Sequence, residues 1–244
     1  MQPLPYRCNI GGFVDQPHIG KVMPSSMIVF QIWPDVELDE RSGMATSTRN
    51  GIKRLAAMGV THDSTREFIE LSFAADNPPD RKYLSGSQDQ FGILLPGVHR
   101  LHYSGGFWPD RIETIRSESI ILWMEEHLSL KQTAPRPHTL GDTIFGANIN
   151  QDTVAEMEKA SDRAWRMLCD KCPDGLKSAL IGVQQACEAM IPRFTPWYVR
   201  KDMDKLHRAG HGVCLMGAGG GGYALIASDD PVDGAIRFRI GREG

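Results

Sequence analysis

Five of the six residues from Gly217 to Gly222 are glycine, and the sixth is Ala218. A short apolar segment, Gly212 to Met216, precedes this run, and another, Tyr223 to Ala227, follows it. A stretch without side chains between two strand-like segments lets backbone approach another group closely and take positive φ. Backbone N–H groups freed in this way can form a concave nest for an anion such as phosphate. A tight hairpin needs only two such residues. Six in a row therefore point to a ligand-facing or packing role.

The surrounding chain is ordinary enough to carry such a site. Its 244 residues, 41% hydrophobic and 23% charged, suit one large domain or two small ones around a buried core. A net charge of −3 argues against a general binder of nucleic acid or anionic membrane. No apolar run approaches the about 20 residues of a membrane span. The first residues, Met1 to Arg7, lack the basic and apolar regions of a secretory signal, so a cytoplasmic protein without membrane partners is expected. Five scattered cysteines suit reduced thiols. The Cys169-x-x-Cys172 pair has no second pair at zinc spacing and reads as a helix end before Pro173.

Hydrophobic periodicity predicts strands at 7–10, 27–33, 93–95, 98–103, 119–124 and 235–240, with a turn at 104–107. Within 42–57 it predicts a loop running into an amphipathic helix with Ile52, Leu55 and Ala56 on one face, and it predicts further helices near 63–76, 152–168, 176–191 and 197–209. Asp63 or Ser64 is the expected cap of the second helix, and Gly210 the glycine stop of the last. The class is α+β, without repeats.

Three further segments carry candidate chemistry. Asp15 follows a Gly11-Gly12 turn, where a carboxylate can face a ligand hydroxyl or simply shape the turn before Pro17. Gly43-Met44-Ala45-Thr46-Ser47-Thr48 runs into an amphipathic helix. Helix N-termini present free N–H groups and a positive dipole end to phosphate, and the hydroxyls can add to that or cap the helix. The spacing is not that of a Walker motif. Asp89, flanked by Gln88 and Gln90, suits a carboxylate that accepts a proton from a bound hydroxyl, or one that caps a helix.

In order along the chain, these pieces resemble the motifs of the GHMP small-molecule kinase superfamily, most closely its heptose and fucose kinase branch. Asn9 to Pro17 resembles that branch's opening G-G-G-T-D-x-P. Gly43 to Thr48 resembles the phosphate motif G-L-G-S-S-S, Gln88 to Gly92 resembles Q-D-Q-Y-G, and Gly217 to Tyr223 is close to G-A-G-G-G-G-F. The resemblance implies a two-lobed GHMP kinase fold. Its N-terminal lobe, residues 1–114, would be similar to domain 2 of ribosomal protein S5, and its C-terminal lobe, 115–244, would be ferredoxin-like. It implies ATP and Mg²⁺ as cofactors and a sugar or sugar phosphate as substrate, phosphorylated at the anomeric hydroxyl. Gly43, Ala45, Thr46, Ser47 and Thr48, with Gly219 and Gly220, would bind the ATP phosphates. Asp89 would be the base, and Arg7 would orient it and oppose its charge. Asp15, Gly12, Gln88 and Gly217 would contact the substrate. Ser47, Thr48 and Asp76 would hold the metal, with Glu70 as second choice for the acid.

Some positions depart from the family pattern. Thirty residues separate Gly12 from Gly43, an interval that is longer in the family and builds its adenine pocket. Val14 replaces a usual Thr, and Arg49 a usual small residue. A non-catalytic sugar or nucleotide sensor on the same fold is the alternative to a kinase. ATP-dependent decarboxylation is a third chemistry with no sequence feature of its own here. Lys21, His99, Arg100 and Arg193 are candidate contacts for a substrate phosphate or plain surface charges. Oligomeric state is open, a homodimer being one option.

Overall fold

The computed structural model describes residues 4–12, 14–16, 21–39, 43–80, 84–137 and 148–242, without the side chains of Asp15, Gln16 and Lys21. Its first sheet is organised on β4 (Ser25–Pro34), whose residues from Ser25 to Ile32 are all buried. A strand covered on both faces reads as a nearly continuous apolar run, as Met27 to Trp33 does. One edge of β4 pairs antiparallel with β1 (Tyr6–Gly11), Cys8 opposite Phe30. The other edge is shared end to end. β5 (Val98–Tyr103) takes residues 25–30, and β10 (Phe238–Ile240) takes residues 32–34. β6 (Arg111–Ile115) lies beyond β5, and β2 (Asp15–Gln16) with β3 (Lys21–Val22) forms a small separate ladder.

Alternation along β4 sends side chains to two layers. Met27 and Val29 pack with Ile69 and Phe91, on the side of the helices α1 (Thr46–Ala57), α2 (Thr65–Asp76) and α3 (Gln88–Leu94). Ile28, Phe30 and Ile32 join Met157 and Ala164 of α5 (Gln151–Cys169). The second sheet, β7 (Leu128–Gln132), β9 (Tyr223–Ala227) and β8 (Gly212–Leu215), is antiparallel in that order. Helix α6 (Pro173–Met190) lies against β8 and β9 and packs along α5. These two helices are therefore the shared layer between the sheets, and one core reaches from Cys8 of β1 to Leu225 of β9.

Polar groups also bridge this layer. Arg100 on β5 is buried and pairs with Glu158 and Asp162 of α5 at 3.1 and 3.0 Å, while Ser26 accepts from its Nε and Nη2. Arg100 is spent on the fold. His99 is likewise held between Thr114 and the Pro96 carbonyl.

Most elements match the periodicity, and Gly210 takes positive φ (87°) just beyond α7 (Trp197–Arg208). Two predicted strands are helical instead. Residues 119–124 lie in α4 (Glu118–His127), where only Ile121 and Met124 are buried and Leu122 is exposed. Residues 93–94 finish α3, because Phe91 and Ile93 are its core contacts. Ser64, not Asp63, caps α2 and accepts from the Glu67 N–H at 3.2 Å. Ser64→Ala is expected to cost about 1 kcal/mol of stability, read as a shifted denaturant midpoint at constant slope.

Candidate active site

A cavity of about 640 Å³ opens between the two sheets' helices and loops, and most of the motif residues reach it. Its floor is β1. The even residues Cys8 and Ile10 point into the shared core, so Arg7, Asn9 and Gly11 turn toward the cavity. Arg7 is almost wholly buried. Its Nη1 donates to Asn9 Oδ1 at 2.6 Å and its Nη2 to the Gly43 carbonyl at 3.2 Å. Its Nε stands 2.9 Å from Asp89 Oδ1, a charge contact whose N–H is not aligned on the oxygen.

Helix α3 delivers Asp89 to that contact from its first turn. Gly92, one turn on, has the Arg7 stem against it: a Cβ there would lie 2.2 Å from Arg7 Cγ. The glycine of Gln-Asp-Gln-Phe-Gly thus makes room for the arginine that grips the aspartate. Asp89 remains 26% exposed, toward the cavity it lines. Beside it, Gln88 lines the cavity, and its Oε1 is buried without an acceptor's partner among the described residues.

Gly43, Ala45, Thr46 and Ser47 form another wall. Helix α1 starts from Ala45 in a left-handed conformation (φ 58°, ψ 35°), and no side chain caps it. Its first turn carries no acidic residue. An alanine held at positive φ costs roughly 1–3 kcal/mol, a strain that clusters at functional sites. A helix start that lines a cavity and has no cap from its N-cap side chain is an arrangement that suits a phosphate. Thr48 faces away from the cavity and donates to Asp76 Oδ2 at 2.7 Å, and Gln90 donates to the same oxygen at 2.8 Å. The structure therefore brings Thr48 and Asp76 together behind Ser47. Glu70 instead pairs with Arg66 on the outer face of α2. Arg49 is also turned away, donating to the Leu4 carbonyl and stacking over Tyr6 at 4.0 Å.

The glycine-rich run approaches this loop backbone to backbone. A Cβ on Gly43 would sit 2.7 Å from the Met216 carbonyl oxygen, and one on Gly217 would sit 2.8 Å from the Gly43 oxygen. Gly217 and Ala218 line the cavity. Gly219 and Gly220 do not, which corrects the expectation that their backbone meets phosphate. The Gly220 N–H is donated to the Phe194 carbonyl at 2.7 Å and the Gly219 N–H to that of Met216 at 3.4 Å. Gly12 lines the cavity, whereas Asp15 is described only by its backbone, paired with Val22, and its side chain falls outside the described residues.

Two features of the cavity were not anticipated. Arg136 reaches it from the loop after β7 and donates to the Met216 carbonyl at 3.1 Å. Met157, Met190, Ile191 and Phe194 make a broad apolar wall from α5 and the end of α6. No motif marks either one.

No family model matches the sequence, and no curated protein does. Solved structures do match in fold. A mevalonate kinase superposes over 98% of this chain and 98% of its own, with a TM-score of 0.60 and 11% identity. The galactokinase of Lactococcus lactis, complexed with galactose, covers 99% of this chain and 92% of its own at 0.61 and 13%. The phosphomevalonate kinase of Streptococcus pneumoniae, in complex with phosphomevalonate and AMPPNP, covers 95% and 93% at 0.61 and 9%.

The protein has the GHMP kinase fold. Here that fold runs from Gly12 to Gly43 with only β2, β3 and β4 among the described residues. No helix of the described residues is long and apolar enough to cross a membrane.

Proposed function

We propose that the protein is a cytoplasmic ATP-dependent phosphotransferase acting on a hydroxyl of a small polyol, with a sugar or sugar phosphate as acceptor and the anomeric hydroxyl as first candidate. The observation that carries this reading is Asp89, held against buried Arg7 on the wall of a cavity that also contains the uncapped start of α1. The division into lobes at residues 114 and 115 belongs to the same proposal.

In the reaction, the acceptor oxygen bonds to the γ-phosphorus while the bond from that phosphorus to the β-phosphate oxygen breaks. Asp89 takes the acceptor proton, and ADP leaves with the electron pair. Little covalent work falls to the protein, so positioning and charge neutralisation supply most of the rate. The α1 N–H groups with Gly43, Ala45, Thr46 and Ser47 hold the phosphates, while Gly12, Gln88, Gly217 and Asp15 serve the acceptor. Of the candidate metal ligands Ser47, Thr48 and Asp76, Ser47 stands on the cavity wall and would offer a hard oxygen to Mg²⁺ bound mainly through phosphate and water, while Asp76 would supply its one carboxylate from behind Ser47 only after giving up the bonds from Thr48 and Gln90. When bound, Mg²⁺ neutralises phosphate charge.

A second reading of the acceptor follows from the apolar wall. An alcohol with an apolar body would bury it against Met157, Met190, Ile191 and Phe194. Phosphorylation of hexoses, heptoses and their phosphates, followed as ADP release with Mg-ATP, is expected to give at least one substrate. Turnover only with aliphatic alcohols would select the second reading. Binding of ATP or sugar with no ADP release from any alcohol would overturn both in favour of a sensor.

A further inference from the structure

Two guanidinium groups converge on Gly43, at the head of the phosphate loop, yet only one has a carboxylate. Arg7 donates to the Gly43 carbonyl and is matched by Asp89. Arg136 comes from the loop after β7. Its Nη2 lies 3.0 Å from the point where a Gly43 Cβ would stand and 3.2 Å from the same point on Gly217. Among the described residues it donates to the neutral Met216 carbonyl, and its buried Nε finds no acceptor. No carboxylate of the described residues pairs with it within 4 Å. Burial, and next the charge of Arg7, make its protonated form harder to hold, with Asp89 acting the other way. A mostly buried cation with a deficit of negative charge is costly unless an anion arrives.

We propose that Arg136 is a catalytic cation that contacts the phosphoryl group in transit, between the phosphate loop and Asp89. The reason for placing it there, and not on the α-phosphate or the far side of the acceptor, is its position. It touches the seam where Gly43 and Gly217 meet and lies within electrostatic reach of both Arg7 and Asp89. Its planar fork can donate to two oxygens of the migrating group while charge spreads over them. The proposal rests on the kinase reading above.

The test uses Arg136→Gln and Arg136→Lys in the full chain, with calorimetric binding of Mg-ATP, Mg-ADP and pyrophosphate and steady-state ADP release. Loss of a charge-assisted contact to the terminal phosphate predicts that Arg136→Gln weakens ATP about 10-fold or more relative to ADP, and lowers kcat beyond any change in acceptor KM. Arg136→Lys keeps the charge without the fork and should fall between. If Arg136→Gln does not fold, the lysine variant carries the comparison. An unchanged ATP-to-ADP ratio in a folded variant overturns the proposal, as does an effect confined to acceptor KM. Wild-type turnover that is indifferent to Arg136→Gln sinks Arg136 and leaves the kinase standing. Pyrophosphate binding that needs Arg136, in a wild-type protein that never turns over, overturns the kinase reading and the catalytic role with it, and leaves Arg136 an anion contact only.

Discussion

Asp89→Asn is expected to lower kcat for ADP release about 10²–10⁴-fold, the range for loss of a positioned general base. The amide keeps the shape of the carboxylate at the start of α3 but cannot accept the acceptor's proton. Acceptor and ATP binding should stay near wild type, because neither the α1 N-terminus nor the glycine-rich run touches this oxygen. Stability will fall as well, since buried Arg7 loses the charge 2.9 Å from its Nε. Its bonds to Asn9 and Gly43 remain, so the loss should be about 1–3 kcal/mol, and the variant can be assayed folded. A folded Asp89→Asn enzyme turning over at close to the wild-type rate would show that another group takes the proton.

A large effect on stability is expected at Gly219. Its φ is +74°, and a Cβ would lie 2.4 Å from the Phe194 ring and 2.5 Å from the Phe194 carbonyl oxygen. Neither neighbour can yield easily. Phe194 is buried, and that same oxygen accepts from the Gly220 N–H. Gly219→Ala should cost about 1–3 kcal/mol in backbone strain and about 1–3 kcal/mol in overpacking, lowering Tm by roughly 5–15 °C. Gly12→Ala is the control, because a Cβ there meets nothing within 4 Å. Equal melting temperatures for the two variants would mean that the run is not packed as described.

Those two residues also show how the site could be read from sequence. Asp89 belongs to one of the motifs and Arg7 stands just before another, in a fixed order along the chain, and the fold brings them to 2.9 Å. Gly43 and Gly217 were legible because close backbone approach excludes side chains. Gly219 and Gly220 sit in the same motif, yet their N–H groups are spent on carbonyls, a detail that a run of glycines does not reveal. Arg136 had no signal. It is a lone arginine between Pro135 and Pro137, and only tertiary contact with Met216 places it at the cavity.

The elements divide in a similar way. Long amphipathic helices such as α5 and α6 declared their period, while 119–124 did not. Ile120, Ile121, Leu122, Trp123 and Met124 form an unbroken apolar run, and such a run fits a buried strand as well as a helix. The helix wins here with Leu122 left exposed to solvent.

The placement of β10 has a consequence for synthesis of the chain. Phe238 to Ile240 lie beside residues 32–34, and Arg242 then pairs with Glu118 and Glu125 of α4. While a ribosome is still making residue 230, the sheet that carries Arg7 is already outside but lacks a neighbour along the end of β4. Domains emerging from the N-terminus ordinarily fold as they appear. This one must wait, with an unpaired stretch of β4 open to other nascent chains until Phe238 to Ile240 have emerged.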